Sequence, residues 1–449
     1  MNSTQENLGK PSSEYHKLIL VGALTALIIL MVLDILLVRV YDLISKQFVQ
    51  VSTRELLFSA VAISFLVAQY LLLELTKPVE IEHRKGKLRI GLLYKITKAC
   101  QYSLGVLILY VITTVIFNSY YSSVVLLAIV LISYGLSIFI LGSLVTRVLF
   151  RISFSRAGLI AILFAFALGG VMTNAMVAMI DLSFRLSDRP VDVRLYLGGS
   201  VDVGKGRYNT LDTLYFLTYT ISFICAWIAT IALMRYYIHR LGRIKFWVIA
   251  VSPLLFFLGQ FVSPFVGMIS ALTGTNPYTL SLFVTVILTL SKPIGGLMLG
   301  IAFWSMAKIG SKYSYIRRNL IISGFGFLLL FTSNQALLMS ITPYPPFGLS
   351  TILIMGFAAY LVYIGIFTTI TSISQNTELR KFIRQLARSE LLDSMASIET
   401  QINVESKVLE IIKKESVRLE NETGVESSLT YDDAKRYLEE VLEELKKTS

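Results

Sequence analysis

The sequence predicts an all-α fold, a polytopic transmembrane helix bundle of about ten spans with a helical cytoplasmic C-terminal tail, and three observations predict it. Of 449 residues, 55% are hydrophobic and only 16% charged, too apolar for a water-soluble chain of this length. The apolar residues gather into ten stretches, each near the roughly 20 residues that carry a helix across about 30 Å of hydrocarbon. Basic residues collect in alternate loops, as orientation in a membrane requires.

In chain order the stretches are 18–38, 56–76, 99–117, 122–146, 157–180, 211–234, 246–272, 280–307, 319–341 and 349–373. The first is longer than the apolar core of a secretory signal and is followed by no small-residue cleavage pattern, so it reads as a retained helix behind a short segment, 1–17. The four even-numbered loops hold 18 of the 41 Lys and Arg, against eight in the odd-numbered loops. Cytoplasmic loops are the positive ones, so the even loops and both termini are expected in the cytosol. The net charge of +12 therefore encodes orientation in a lipid bilayer rather than nucleic acid as a partner.

One sizeable loop, 182–210, is expected on the outer side. Within it "VDVRLYL" and "SVDVGKGRY" alternate around Gly198 and Gly199, which predicts a small hairpin that either caps the bundle or contacts a ligand. The string "GSVDVGKG" approaches a phosphate-binding loop, but Gly206 stands where a magnesium-binding hydroxyl is needed and no strand–loop–helix context surrounds it. Two cysteines, Cys100 and Cys225, lie within spans, and three histidines sit in separate segments without metal-ligand spacing. No metal and no cofactor is expected.

The segment 374–449 has no span and forms the cytoplasmic tail. A basic start at Arg380, Lys381, Arg384 and Arg388 suits a helix leaving the membrane beside anionic lipid. Over 391–420 a coiled-coil-like heptad follows: Leu391, Met395, Ile398, Ile402, Glu405, Leu409, Ile412, Ser416 and Leu419. This stripe predicts pairing with a second copy, with a cytosolic protein, or with a last helix bearing Ala434, Leu438, Val441 and Leu445.

The polar residues inside the apolar stretches are the candidate site. Lys292 in "TLSKPIGGLMLG" is a charge at bilayer depth, which costs at least ~2.5 kcal/mol and usually faces protein or water. Pro293 removes a backbone donor, Gly295 and Gly296 loosen the next turn, and together they mark a helix break or a kink. Gly296 with Gly300 also offers a small-residue groove to another helix. At ~1.5 Å per residue from the outer ends, Lys292 lies about 18 Å deep and Gln260 about 16 Å, with Asn174, Asn334 and Gln335 near 10 Å. Asp34, about 6 Å deep by the same count, reads either as an interfacial partner of Arg39 or as the counter-charge of Lys292. These six residues are expected to line a ligand-binding pocket in the outer half, and Glu74 to snorkel at the opposite end.

The tail stretch "SQNTELRKFIRQLARSELLDSMA" resembles the juxtamembrane ends of multi-pass membrane proteins of ammonia-oxidising archaea, a resemblance that covers little of the chain and implies no activity. No nucleophile motif, no His or Cys cluster and no paired carboxylate at helical spacing within a span is found, so an enzyme is not expected. Two classes of function remain. A sensor or signalling protein would couple the outer pocket to the tail; a secondary transporter of a small molecule or ion would use a broken eighth helix around Lys292.

Overall fold

In the computed structural model the described residues are 10–44, 51–76, 84–149, 156–188, 192–194, 209–235, 242–259, 271, 274, 277–309, 314–334 and 344–375. They form ten long helices and one short one: α1 (Lys10–Ile44), α2 (Val51–Leu75), α3 (Arg84–Asn118), α4 (Ser123–Leu149), α5 (Arg156–Ser187), α6 (Asn209–Arg235), α7 (Arg243–Gly259), α8 (Pro277–Ile309), α9 (Ser314–Ser333), the short α10 (Leu349–Leu353) and α11 (Met355–Gln375). Among the described residues seven helical stretches are long and apolar enough to cross a membrane: those of α1 to α6, and 349–369. Their outward faces carry Leu, Ile, Val and Phe at high exposure, Val106 at 69% and Phe117 at 78% among them. In water such faces would drive aggregation; against acyl chains they are at equilibrium. The tail and its heptad lie outside the described residues.

Pairs of contacts fix the registers. Gly170 meets Ser222 and Arg185 meets Asp212, so α5 and α6 run antiparallel. Likewise α8 and α9 are antiparallel through Gly300 against Gly324, and α9 and α11 through Gly326 against Val362. Ser133 beside Ile352 and Arg147 beside Phe367 make α4 parallel to α11. The N-terminal ends of α4, α10 and α11 thus lie at one end of the bundle, called the far end; the start of α3, with Arg84, Lys85, Lys87 and Arg89, and the end of α4, with Arg147, lie at the opposite, basic end.

Helices α10 and α11 together form the centre of the described bundle. Every residue of 349–369 is buried, against 33–50% of the corresponding stretch in the other six candidate spans. Helices approach it closely because glycines stand at the crossings. A Cβ on Gly326 would sit 2.8 Å from the Val362 nitrogen, and one on Gly365 would overlap the Ser323 hydroxyl. Without a strong hydrophobic drive between helices in lipid, such close backbone approach supplies much of the attraction. At the basic end two cations complete the packing. Arg147 lies over the Phe367 ring at 4.8 Å, and Arg318 Nη2 donates to the Leu75 carbonyl at 3.0 Å.

Three expectations take a different form in the structure. Helix α8 is continuous from 277 to 309 with Pro293 inside it, so Pro293, Gly295 and Gly296 do not interrupt the helix. A proline removes a single ladder bond, and here the glycine face is filled: a Cβ on Gly296 would lie 2.7 Å from the Phe327 carbonyl oxygen of α9. Helix α5 runs past residue 180 to Ser187, which brings Asp181 inside the bundle as a second acid at the far end. Its charge is matched one turn on, because Arg185 Nε lies 2.9 Å from both Asp181 oxygens and Arg185 Nη2 lies 2.5 Å from Asp212. Finally, the strand Asp192–Arg194 pairs antiparallel with Tyr120–Ser122, the link between α3 and α4, in the register Tyr121 to Val193. The second arm of the expected hairpin, 201–208, lies outside the described residues.

Candidate functional site

At the far end the polar residues of the bundle form bonded sets around the head of the central helix. Helix α10 begins after Gly348, whose backbone is left-handed at φ 85°. Its first N–H groups have no partner within the helix. Asp34 of α1, only 1% exposed, supplies one. Its carboxylate accepts the Gly348 N–H at 3.4 Å, the Thr351 N–H at 3.3 Å and the Thr351 hydroxyl at 2.8 Å. A carboxylate at a helix N-terminus is also favoured by the helix dipole. Ser133 of α4 donates to the Ile352 carbonyl at 2.6 Å, and Ser333 of α9 lies 3.2 Å from the Met355 sulfur. Three other helices therefore hold the start of α10 and α11.

A second set adjoins it. Asn334, the residue after α9, donates to Asn174 Oδ1 at 2.6 Å; Asn174 donates to the Tyr215 carbonyl at 2.6 Å and the Thr218 hydroxyl at 2.8 Å. Tyr215 in turn donates to the Asn334 carbonyl at 2.9 Å, which closes the ring of bonds across α5, α6 and α9. A third contact secures the approach to α10. The Tyr344 hydroxyl donates to Glu55 at 2.5 Å, and burial first, then this carboxylate, push the phenol up from its ordinary value.

The predicted site residues separate accordingly. Asn174 and Asn334 come together as a directly bonded pair. Asp34 joins neither an exposed interface nor that pair; it caps α10. Lys292 lies on the backbone of α8, with its side chain outside the described residues, as are Gln260 and Gln335. The sequence alone did not single out Tyr215, Thr351, Tyr344 or Glu55. Their signal was weak, since a Thr or Tyr at a span end is common and its partner lies far along the chain. Chemically, both Asp34 oxygens accept bonds from the start of α10, so the carboxylate acts as a clamp on that helix end. Among the described residues no three His, Cys, Asp or Glu side chains converge as a metal would need.

Comparison of the chain with protein-family models, with curated proteins and with solved structures finds no match. Fold and site together define the class: an integral, multi-pass, helical membrane protein, in contact with the lipid bilayer along its outer faces.

Proposed function

We propose that this protein is of the sensor or signalling type, with ten crossings and both termini in the cytosol. A change at the far end is carried by the central helix to residues 376–449. One observation carries the reading: 349–369 is buried all round, while its head is held by side chains from α1, α4 and α9. A helix shielded from lipid responds to what its neighbours do to its ends, and the tail continues directly from its C-terminus. The partner would be a second copy or a cytosolic protein engaged through Leu391, Ile398, Ile402 and Leu419. This reading has no catalytic step. The alternative is a secondary transporter of a small molecule or ion that uses α8 around Lys292; it draws on the ten spans, the sparse outer loops and Lys292 rather than on a helix break, because α8 runs unbroken from 277 to 309.

The test is hydrogen exchange of the full-length protein in nanodiscs. Thr351→Val and Asp34→Asn each loosen the clamp, and both are expected to change protection across residues 391–420. The lipid-facing control Ile63→Ala, at a position 46% exposed, leaves it as in the parent. If the clamp variants lower thermal stability yet leave tail exchange unaltered, the central helix is core alone and the reading fails.

A further inference from the structure

On the flank of the bundle, helices α2 and α3 line a groove of about 240 Å³. It is less than a drug-sized ligand fills and enough for a small polar group with the start of a chain. Its walls are Leu66 of α2 and Gly105, Val106 and Leu109 of α3, and its floor holds Gln69 and Gln101. The mouth opens to lipid, because Tyr70, Val106 and Leu109 are 54%, 69% and 52% exposed on the apolar outer face. The two glutamines are the opposite, 4% and 6% exposed. Among the described residues Gln69 Nε2, Gln101 Nε2 and Gln101 Oε1 have no hydrogen-bond partner.

Amide groups buried in this way cost free energy until something bonds them. Hydrocarbon offers no water for the purpose, and neither glutamine turns to the other. The missing partner must therefore enter from the lipid side and offer both an acceptor, for the two NH₂ groups, and a donor, for Gln101 Oε1. The polar rim adds a constraint on charge. Glu74 and Lys98 are paired at 3.2 Å where α2 ends, and Lys98 Nζ lies 5.6 Å from the Tyr102 ring, so among the described residues the lining presents no unmatched charge of either sign. The Tyr70 and Tyr102 rings, edge to face at 6.1 Å, form one side of the opening.

From these observations we propose that the groove binds a neutral, hydroxyl-bearing acyl amphiphile of the membrane. Its polar end is hydrogen-bonded by Gln69 and Gln101, and its chain lies along Leu66, Gly105 and Leu109 toward the far end. The site is separate from the clamp on α10 and does not rest on the signalling reading.

The probe is a monoacylglycerol with a diazirine near the start of its chain, irradiated with the full-length protein in phosphatidylcholine nanodiscs and mapped by mass spectrometry. Adducts are expected on Leu66, Gly105, Val106 and Leu109, and excess unlabelled monoacylglycerol should compete them away. Gln69→Leu with Gln101→Leu should lower labelling about tenfold, the loss of two or more hydrogen bonds. Gly105→Leu is the independent variant: a Cβ there meets only Leu66, at 3.7 Å, so the added side chain enters the groove and should block labelling even if the glutamine variant fails to fold. Adducts scattered over all lipid-facing helices, equal labelling by a methyl-capped diazirine alkane, or labelling untouched by Gly105→Leu would each overturn the proposal.

Discussion

The bonded sets around Asp34 and Asn174 at the far end and the α2–α3 flank treat buried polar groups in opposite ways, although the buried Tyr134 hydroxyl beside the far-end sets also meets no partner among the described residues. At the far end Asp34, Thr351, Asn174, Asn334 and Tyr215 are joined by hydrogen bonds of 2.6 to 3.3 Å. Toward the basic end Gln69, Gln101, Thr97, Tyr94 and Tyr360 are also buried, yet each has a polar atom that meets no partner among the described residues. In hydrocarbon a bonded polar set fixes which helices are neighbours, whereas an unbonded one is a standing cost that a ligand can relieve. The bonded far-end sets accordingly fix which helices are neighbours there, and the α2–α3 flank is the region left open to chemistry.

Substitutions break or sharpen that contrast. Asp34→Ala should cost most, about 3 kcal/mol, because it strands two backbone N–H groups and a hydroxyl at a buried helix start. Thermal or denaturant unfolding in detergent reads this, and a loss below about 1 kcal/mol would mean the cap is dispensable. The Asn174–Asn334 pair should be intermediate. A double-mutant cycle with leucine at both positions is expected to give a coupling of about 1 kcal/mol, in the range found for hydrogen bonds between membrane helices. Additive losses would show that the pair does not act as a unit. Gln101→Leu should have the smallest effect, between neutral and about 1 kcal/mol stabilising in lipid-free detergent, since it removes amide atoms that have no partner. A clear loss of stability there would place Gln101 in the same category as Asn174 and abolish the difference between the two regions.

Particular residues show how far the sequence could be read. The Gly296 and Gly300 spacing announced a close helix crossing, and α9 fills it through Phe327, Leu328 and Gly324. Asn174, Asn334 and Gln335 share a depth of about 10 Å by residue count, because rise per residue is local and helix directions alternate; that the two asparagines bond each other is decided by the structure. Asp34 could not be assigned this way, since its partners lie more than three hundred residues on, at Gly348 and Thr351. Glu74 illustrates the same limit on the other flank. Its position near a helix end was legible, but its ion pair with Lys98 and the neighbouring groove depend on how α2 and α3 pack. Nor did Gln69 and Gln101 stand out, because a glutamine in a span is notable only once its amide proves to be unbonded.

By itself, then, the sequence determined that this is a membrane-spanning, largely helical chain, roughly where the described spans fall, and which small residues let them touch. Hydropathy and helical period act over neighbouring residues, so a linear reading captures them. Only the tertiary structure decided that α10 and α11 stand at the centre, that Asp34 closes the start of α10, and that two glutamines remain unanswered at a lipid-facing groove. Those outcomes depend on which helices become neighbours, and the spacing of residues along the chain does not contain that information.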